Sequence, residues 1–138
     1  MLSTRSHLFL SLVGAPHDSD LATSLLRLVH EAISQGHQVT VWVCGGGTTL
    51  TLNSHGDTKI RNLIDAAAGN FNREYPSTTK LIKELIEVSE GRLQWLICRH
   101  CMQEWGATNQ INEVKVTPPY KFLRYIDQAN VSMVMGIL

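Results

Sequence analysis

Short apolar runs of strand length alternate along this chain with segments whose apolar residues recur at helical spacing. The first run covers residues 8–13 and ends at Gly14, and the second covers residues 38–44 and ends at the glycines 45–47. Between them, apolar residues recur in the pattern of an amphipathic helix until Gly36. Apolar runs with little polar alternation are typical of strands buried on both faces of a parallel sheet. This strand, helix, strand order constrains the fold more than any other feature.

The same alternation returns after a less regular middle, in which residues 57–68 have helical spacing and residues 69–76 have the composition of a polar loop. In chain order, the spacing then predicts a helix from Ser77 to Gly91, a strand over 92–97, a helical turn over 102–105, a strand over 111–117, a helix opened by Pro118 and Pro119, and a last strand over 131–135. The residues predicted to face inward from that last helix are Tyr120, Leu123, Ile126 and Ala129.

Alternating units of this kind predict a single α/β domain over residues 1–138. We expect a three-layer sandwich with a mainly parallel sheet of about five strands, helices on both faces and right-handed crossovers. A chain of 138 residues buries enough apolar surface for one core without a disulfide or a metal.

Charge and cysteine content exclude several classes of protein. Lys plus Arg and Asp plus Glu both number 12, so no net field favours nucleic acid or an anionic membrane as a partner. The apolar run at residues 8–15 is short for a signal peptide, and no run approaches the roughly 18 to 20 residues that span a bilayer. Three cysteines are a poor disulfide framework, which favours a reducing, cytoplasmic location.

Cys98-Arg99-His100-Cys101 stands directly between a predicted strand and a predicted helical turn. A thiol at such a junction meets backbone N–H groups of the helix, and Arg99 and His100 add nearby positive charge. We therefore predict that Cys98 is a reactive thiol. Sites in α/β sheets gather at the carboxyl ends of strands. Cys44 ends another strand, and we hypothesise that its sulfur lies within about 7 Å of Cys98.

Other interpretations of these cysteines remain open. Cys98 as a buried small hydrophobe is one alternative, and Cys101 is either a reacting partner one turn away or a packing residue. A thioredoxin-like pair of Cys98 and Cys101 fits less well, because the motif comes late in the chain. A structural zinc site usually has four ligands, and no second Cys/His pair has matching spacing. The glycines after Cys44 lack the Gly-Lys-Ser/Thr ending of a phosphate loop.

The order of elements and the pattern C-x-x-C-x-x-x-x-G at residues 98–106 resemble the DsrE/DsrF-like family, which includes sulfur-relay subunits. Cys98 matches the sulfur-carrying cysteine of those subunits, and Cys101 matches a second cysteine found in some members. Relatives often have Arg or Lys where this chain has Trp105.

The resemblance implies a flavodoxin-like variant of the α/β fold and a sulfur carrier without a metal or an organic cofactor. Such a carrier accepts sulfane sulfur from a donor protein as a persulfide on Cys98 and passes it to a thiol of a partner protein. Relatives assemble into trimers or hexamers, so a homo-oligomer is expected. A non-catalytic partner subunit of a relay complex is the alternative that the same resemblance allows.

Overall fold

A computed structural model describes residues 5–14, 21–53 and 78–136 of the chain. The strands are β1 His7–Val13, β2 Gln38–Cys44, β3 Leu93–Cys98, β4 Lys115–Thr117 and β5 Val131–Gly136. The α-helices are α1 Leu21–Ser34, α2 Thr78–Val88, α3 Arg99–Glu104 and α4 Phe122–Gln128, and two 3₁₀ helices cover Gly45–Thr51 and Pro119–Lys121. The predicted helix at 57–68 and the predicted loop at 69–76 lie outside the described residues.

The five strands form one sheet in the order β4-β3-β2-β1-β5, and every neighbouring pair is parallel. This confirms the predicted α/β fold. The chain steps from β1 to β2 to β3 in one direction, and α1 and α2 pack on the same face of the sheet. It then returns across the sheet from β4 to β5, and α4 packs on the opposite face. Right-handed crossovers require this change of face when the direction reverses.

One face of the sheet, here called the aliphatic face, is packed against α1 and α2. Successive side chains of a strand point to opposite faces, so every second residue of β1, β2 and β3 lies on this face. The residues that form its centre are Leu10, Leu12, Val39, Val41, Val43, Trp95 and Ile97 from the strands, and Leu25, Val29, Ile82 and Leu85 from the helices. Most of the core lies here.

The opposite face, here called the aromatic face, is packed against α4. Its buried residues are Phe9, Trp42, Leu96 and Cys98, with Cys44, Cys101, Phe122, Tyr125, Ile126 and Ala129 partly buried against them. The ring of Phe122 meets the rings of Phe9 and Trp42 edge to face, with both centroid distances at 5.3 Å. The alternation that places Trp42 on this face also places Cys44 there, two residues later.

Two sequence predictions about the last third of the chain are wrong in detail. The strand predicted at 111–117 is reduced to Lys115–Thr117. Ile111 donates its backbone N–H to the Thr51 carbonyl at 3.0 Å, so this part of the chain joins the Gly45–Thr51 helix instead of the sheet. The buried side of α4 also differs from the prediction, because Tyr120 and Leu123, which were predicted to face inward, are 78% and 69% exposed.

The short 3₁₀ helix Pro119–Lys121 changes the phase at which α4 begins. Phe122, Tyr125, Ile126 and Ala129 therefore share the buried side, at the spacing of one helical face. None of the helices in the described part of the chain is both long and apolar enough to span a bilayer.

Candidate functional site

Three thiols meet at the carboxyl edge of the sheet. Cys44 ends β2, Cys98 ends β3, and Cys101 lies one turn into α3. Their Sγ atoms all lie within 4.8 Å of one another. The hypothesis that Cys44 and Cys98 approach each other is therefore confirmed. We call these three residues the cysteine cluster.

The pairing of two neighbouring strands brings the cluster together. β2 and β3 are parallel, and Val43 is the register partner of Ile97. Cys44 and Cys98 each come one residue later, on the aromatic face and at the same edge. Cys98 is then the N-cap residue of α3, so three further residues carry the chain through one turn and return Cys101 to the same face.

The three thiols differ in their access to solvent. Cys98 is 3% exposed, whereas Cys44 and Cys101 are only half-buried. Arg99 and His100, which precede Cys101 on α3, are exposed. A molecule arriving from solvent therefore meets Cys44 or Cys101 at the surface of the cluster, with Cys98 beneath them.

Two N–H groups donate hydrogen bonds to sulfur atoms of the cluster. Trp42 donates its indole Nε1–H to the Cys44 Sγ at 2.9 Å, and Gly45 donates its backbone N–H to the Cys101 Sγ. Gly45 has a φ angle of +59°, and a Cβ atom added there would lie 3.4 Å from the Gly14 nitrogen. Glycine adopts this left-handed conformation without steric cost, so it suits the turn that directs the N–H toward Cys101.

Sequence reasoning missed both donors. The signal that could have revealed the first donor is the position of Trp42 two residues before Cys44 on one strand, because this places both side chains on one face. The glycines 45–47 form the first turn of the 3₁₀ helix Gly45–Thr51, which their spacing does not reveal.

Burial makes two of the thiols weaker acids than a free cysteine. Desolvation raises the pKa of Cys44 from 9.0 to about 12, although the Trp42 N–H lowers it, and negative charge on Cys101 and Cys98 adds to the rise. Desolvation also raises the pKa of Cys101 against the opposing effect of the Gly45 N–H. At neutral pH both residues are therefore neutral thiols that can donate an S–H group.

Thr117 lies next to the cluster and carries a hydroxyl group that is buried with it. It is the register partner of Cys98 on β4 and is 1% exposed. Within residues 5–14, 21–53 and 78–136, its Oγ1 has no hydrogen-bond partner. Buried polar groups are nearly always paired, so an unpaired hydroxyl beside a thiol is a candidate contact for a group bound there.

Comparison with known proteins places the chain in a family. The sequence profile of the DsrE/DsrF-like family matches residues 7–133, and the chain belongs to this family. Among curated proteins, none matches the sequence.

Solved structures show the same fold. The chain is similar to the crystal structure of the YchN protein from Escherichia coli, with a TM-score of 0.67 and 13% identity over 96% of this chain and 100% of that one. It is also similar to a conserved protein of unknown function from Bacteroides thetaiotaomicron, with a TM-score of 0.54 and 11% identity over 92% of this chain and 94% of that one. At these identities the likeness concerns the fold alone.

Proposed function

We propose that this protein is a cytoplasmic sulfur carrier that holds sulfane sulfur as a persulfide on Cys98 and relays it to a thiol of a partner protein. Membership of the DsrE/DsrF-like family supports a role in sulfur relay. The observation that carries the proposal is the meeting of three thiols within 4.8 Å at the carboxyl edge of the sheet.

The electrostatics of the cluster support a division of roles among the thiols. Negative charge on Cys98 is one of the causes that raise the pKa of both Cys44 and Cys101, after desolvation by burial. The two neighbours therefore keep their S–H protons near neutral pH and can donate them to a sulfur atom on Cys98. In this proposal Cys98 is the nucleophile, while Cys101 and Cys44 stabilise the charged sulfur.

The transfer itself needs only thiol chemistry. The Cys98 thiolate attacks the outer sulfur of a donor persulfide, a new S–S bond forms on Cys98, and the donor cysteine leaves as a thiolate. In the second step an acceptor thiolate attacks the outer sulfur on Cys98, and Cys98 leaves as a thiolate. No electrons are gained or lost overall, because one S–S bond forms as another breaks in each step.

The surface around the edge strand carries exposed apolar side chains, which support binding to other protein chains. They are Tyr120, Leu123, Val131, Met133 and Val134, and Val131 and Met133 lie on the opposite face of β5 from Val134. They belong to α4 with its preceding turn and to β5, which is an edge strand of the sheet. Exposed apolar patches and unpaired edges are typical of protein interfaces. We propose that this surface serves a homo-oligomer, a trimer or hexamer, or a sulfur-relay partner.

Mass spectrometry after sulfur loading tests the proposal. The reduced chain is incubated without oxygen with a small persulfide donor, or with a cysteine desulfurase and cysteine. We expect a gain of one sulfur atom that dithiothreitol removes. Cys98→Ser should abolish the gain, whereas Cys44→Ser and Cys101→Ser should retain it on Cys98, and matching thermal melts should show that all three variants fold.

Each other outcome identifies a different function. A loss of two hydrogens with no added sulfur indicates a disulfide within the cysteine cluster, and peptide mapping that assigns it to Cys98 and Cys101 indicates a thiol-disulfide redox protein. An oligomer that takes up no sulfur indicates a non-catalytic partner subunit. Sulfur that remains on the Cys98→Ser variant contradicts the assignment of the carrier residue.

A further inference from the structure

We propose that Cys44, Cys98 and Cys101 together form a three-coordinate binding site for a soft monovalent metal ion, Cu(I). Metal binding differs from sulfur transfer in its requirements, since it needs three thiolates and no persulfide. Cu(I) is a soft ion for which thiolates are preferred ligands. Occupation by the metal and loading with sulfur would use the same sulfur atoms, so each would exclude the other.

The spacing of the sulfur atoms fits one metal ion. Three thiolates in a plane around an ion, at a metal–sulfur distance of about 2.3 Å, lie about 4.0 Å from one another. The three Sγ atoms already lie within 4.8 Å of one another. The largest distance between two of the sulfur atoms therefore exceeds the value expected around a bound ion by no more than about 0.8 Å. The ligands come from the ends of two paired strands and from the helix that follows, so the sheet holds them in position.

The surroundings of the sulfur atoms suit a thiolate-bound ion. Trp42 and Gly45 each donate an N–H to a sulfur of the cluster, as outer-shell partners of metal ligands commonly do. Cys98 is buried, and the aromatic face beneath it limits the access of water. Each thiol that binds releases its proton to solvent, and copper enters and remains as Cu(I), so no oxidant or reductant takes part.

The ligand set that the described residues offer favours Cu(I) over zinc. Within the described residues, no His, Asp or Glu side chain joins the three cysteines as a fourth ligand of the group. Structural zinc sites are almost always four-coordinate, whereas three thiolates satisfy Cu(I). His100 is the histidine nearest in sequence to the cluster, and it is exposed on α3.

An anaerobic titration of the full reduced chain with Cu(I), in competition with a chromogenic Cu(I) chelator, tests the proposal directly. We expect one copper ion per chain, with sulfur as the neighbouring atom in X-ray absorption. Substituting Ser for Cys44, Cys98 or Cys101 should each weaken binding by about 100-fold or more, because changes in outer-shell partners alone cost 10- to 100-fold. His100→Ala should bind like the wild type.

A second measurement needs no variant. Bound Cu(I) should protect all three cysteines of the wild-type chain from alkylation, as read by mass spectrometry. Protection limited to Cys98 and Cys101 would overturn the three-ligand site, as would unchanged affinity in Cys44→Ser. Weaker binding by His100→Ala would show that His100 belongs to the ligand set. Tighter retention of Zn(II) than of Cu(I) in a parallel titration would overturn the assignment of the metal as Cu(I). These results are independent of sulfur loading, because no sulfur donor is present.

Discussion

The two faces of the sheet use the same strands for different purposes. The aliphatic face is covered by α1 and α2 and holds mostly leucine, valine and isoleucine side chains at its centre, together with Trp95. The aromatic face is covered by α4, and it holds the rings of Phe9 and Trp42 together with the cysteine cluster. Strand residues alternate between the two faces, so moving a residue by one position along a strand transfers its side chain to the other face. That face decides whether the side chain packs in the main core or lies beside the cysteine cluster.

Polar groups make the contrast sharper. Ser11 and Thr40 lie at positions that share parity with Phe9 and Trp42, and both are fully buried on the aromatic face. The Thr40 hydroxyl is paired with His7 Nε2 at 2.8 Å, whereas Ser11 Oγ has no partner among the described residues. The aliphatic face is mainly apolar, although the buried Trp95 Nε1 on it also has no partner among the described residues, whereas the aromatic face holds buried hydroxyl and thiol groups.

The largest expected effect comes from breaking the aliphatic face. Leu25 lies on α1 and is 0% exposed. A buried, unpaired carboxylate there loses its hydration and its packing, so Leu25→Asp should cost more than about 5 kcal/mol and prevent folding. Circular dichroism and soluble yield measure this effect.

The matched control uses a leucine of the same helix. Leu28 is 44% exposed, so Leu28→Asp should change the free energy of unfolding by about 0.5 kcal/mol or less. If Leu25→Asp melts close to the wild type, the aliphatic face does not carry the stability of the fold. If both variants fail equally, the effect belongs to α1 as a whole and not to its buried side.

A smaller effect sharpens the description of the aromatic face. The rise in the pKa of Cys44 from 9.0 to about 12 reduces its thiolate fraction at neutral pH by on the order of 1,000-fold. Only thiolate reacts with iodoacetamide. Cys44 in the native chain should therefore be alkylated on the order of 1,000-fold more slowly than in the unfolded chain, with the rate still rising tenfold per pH unit above pH 9.0.

Simple steric protection predicts a different pH profile. A Cys44 thiol that is only shielded would react slowly but level off near pH 9.0, as the unfolded thiol does. The raised pKa has a second consequence, because above pH 9.0 the unfolded state loses a proton that the folded state keeps. This contribution to stability is complete below pH 9.0 and is lost as pH rises toward about 12, and Cys44→Ser should remove that dependence.

The sequence predicted the first three strands more accurately than the last third of the chain. β1, β2 and β3 were predicted to within one residue, because runs of valine, leucine and isoleucine ended by glycine or by the cysteine motif leave few alternatives. The strand predicted at 111–117 was too long for β4, since Ile111 donates its backbone N–H to the carbonyl of Thr51, which is distant in sequence. The buried side of α4 depended on the 3₁₀ turn at Pro119–Lys121, which changes the helix phase.

The site was predictable to a similar extent. Cys44 and Cys98 end consecutive strands of the chain, and consecutive strands are usually neighbours in a sheet, so their approach at one edge could be expected. The spacing of Cys98 and Cys101 placed both on one turn of a helix. The Gly45 N–H and the reach of the Trp42 indole depend on backbone turns and rotamers that residue spacing does not encode.

The smallest expected effect concerns the turn that presents an N–H to the cluster. Gly45 has φ +59, and alanine in this left-handed conformation costs about 1–2 kcal/mol. Gly91 also has a positive φ, at +88, and nothing within 4 Å of an added Cβ. Gly45→Ala and Gly91→Ala should therefore lose similar stability in urea unfolding, which makes Gly91→Ala the matched control.

The two variants should differ at the cluster. The Gly45 N–H lowers the pKa of Cys101, so a displaced N–H raises that pKa further and reduces the thiolate fraction. Native-state alkylation of Cys101 should therefore slow in Gly45→Ala and stay unchanged in Gly91→Ala, measured at one pH and well below the melting temperature. Equal rates in the two variants would mean that the turn after β2 shapes only the backbone, and the aromatic face would then owe its thiol chemistry to burial alone.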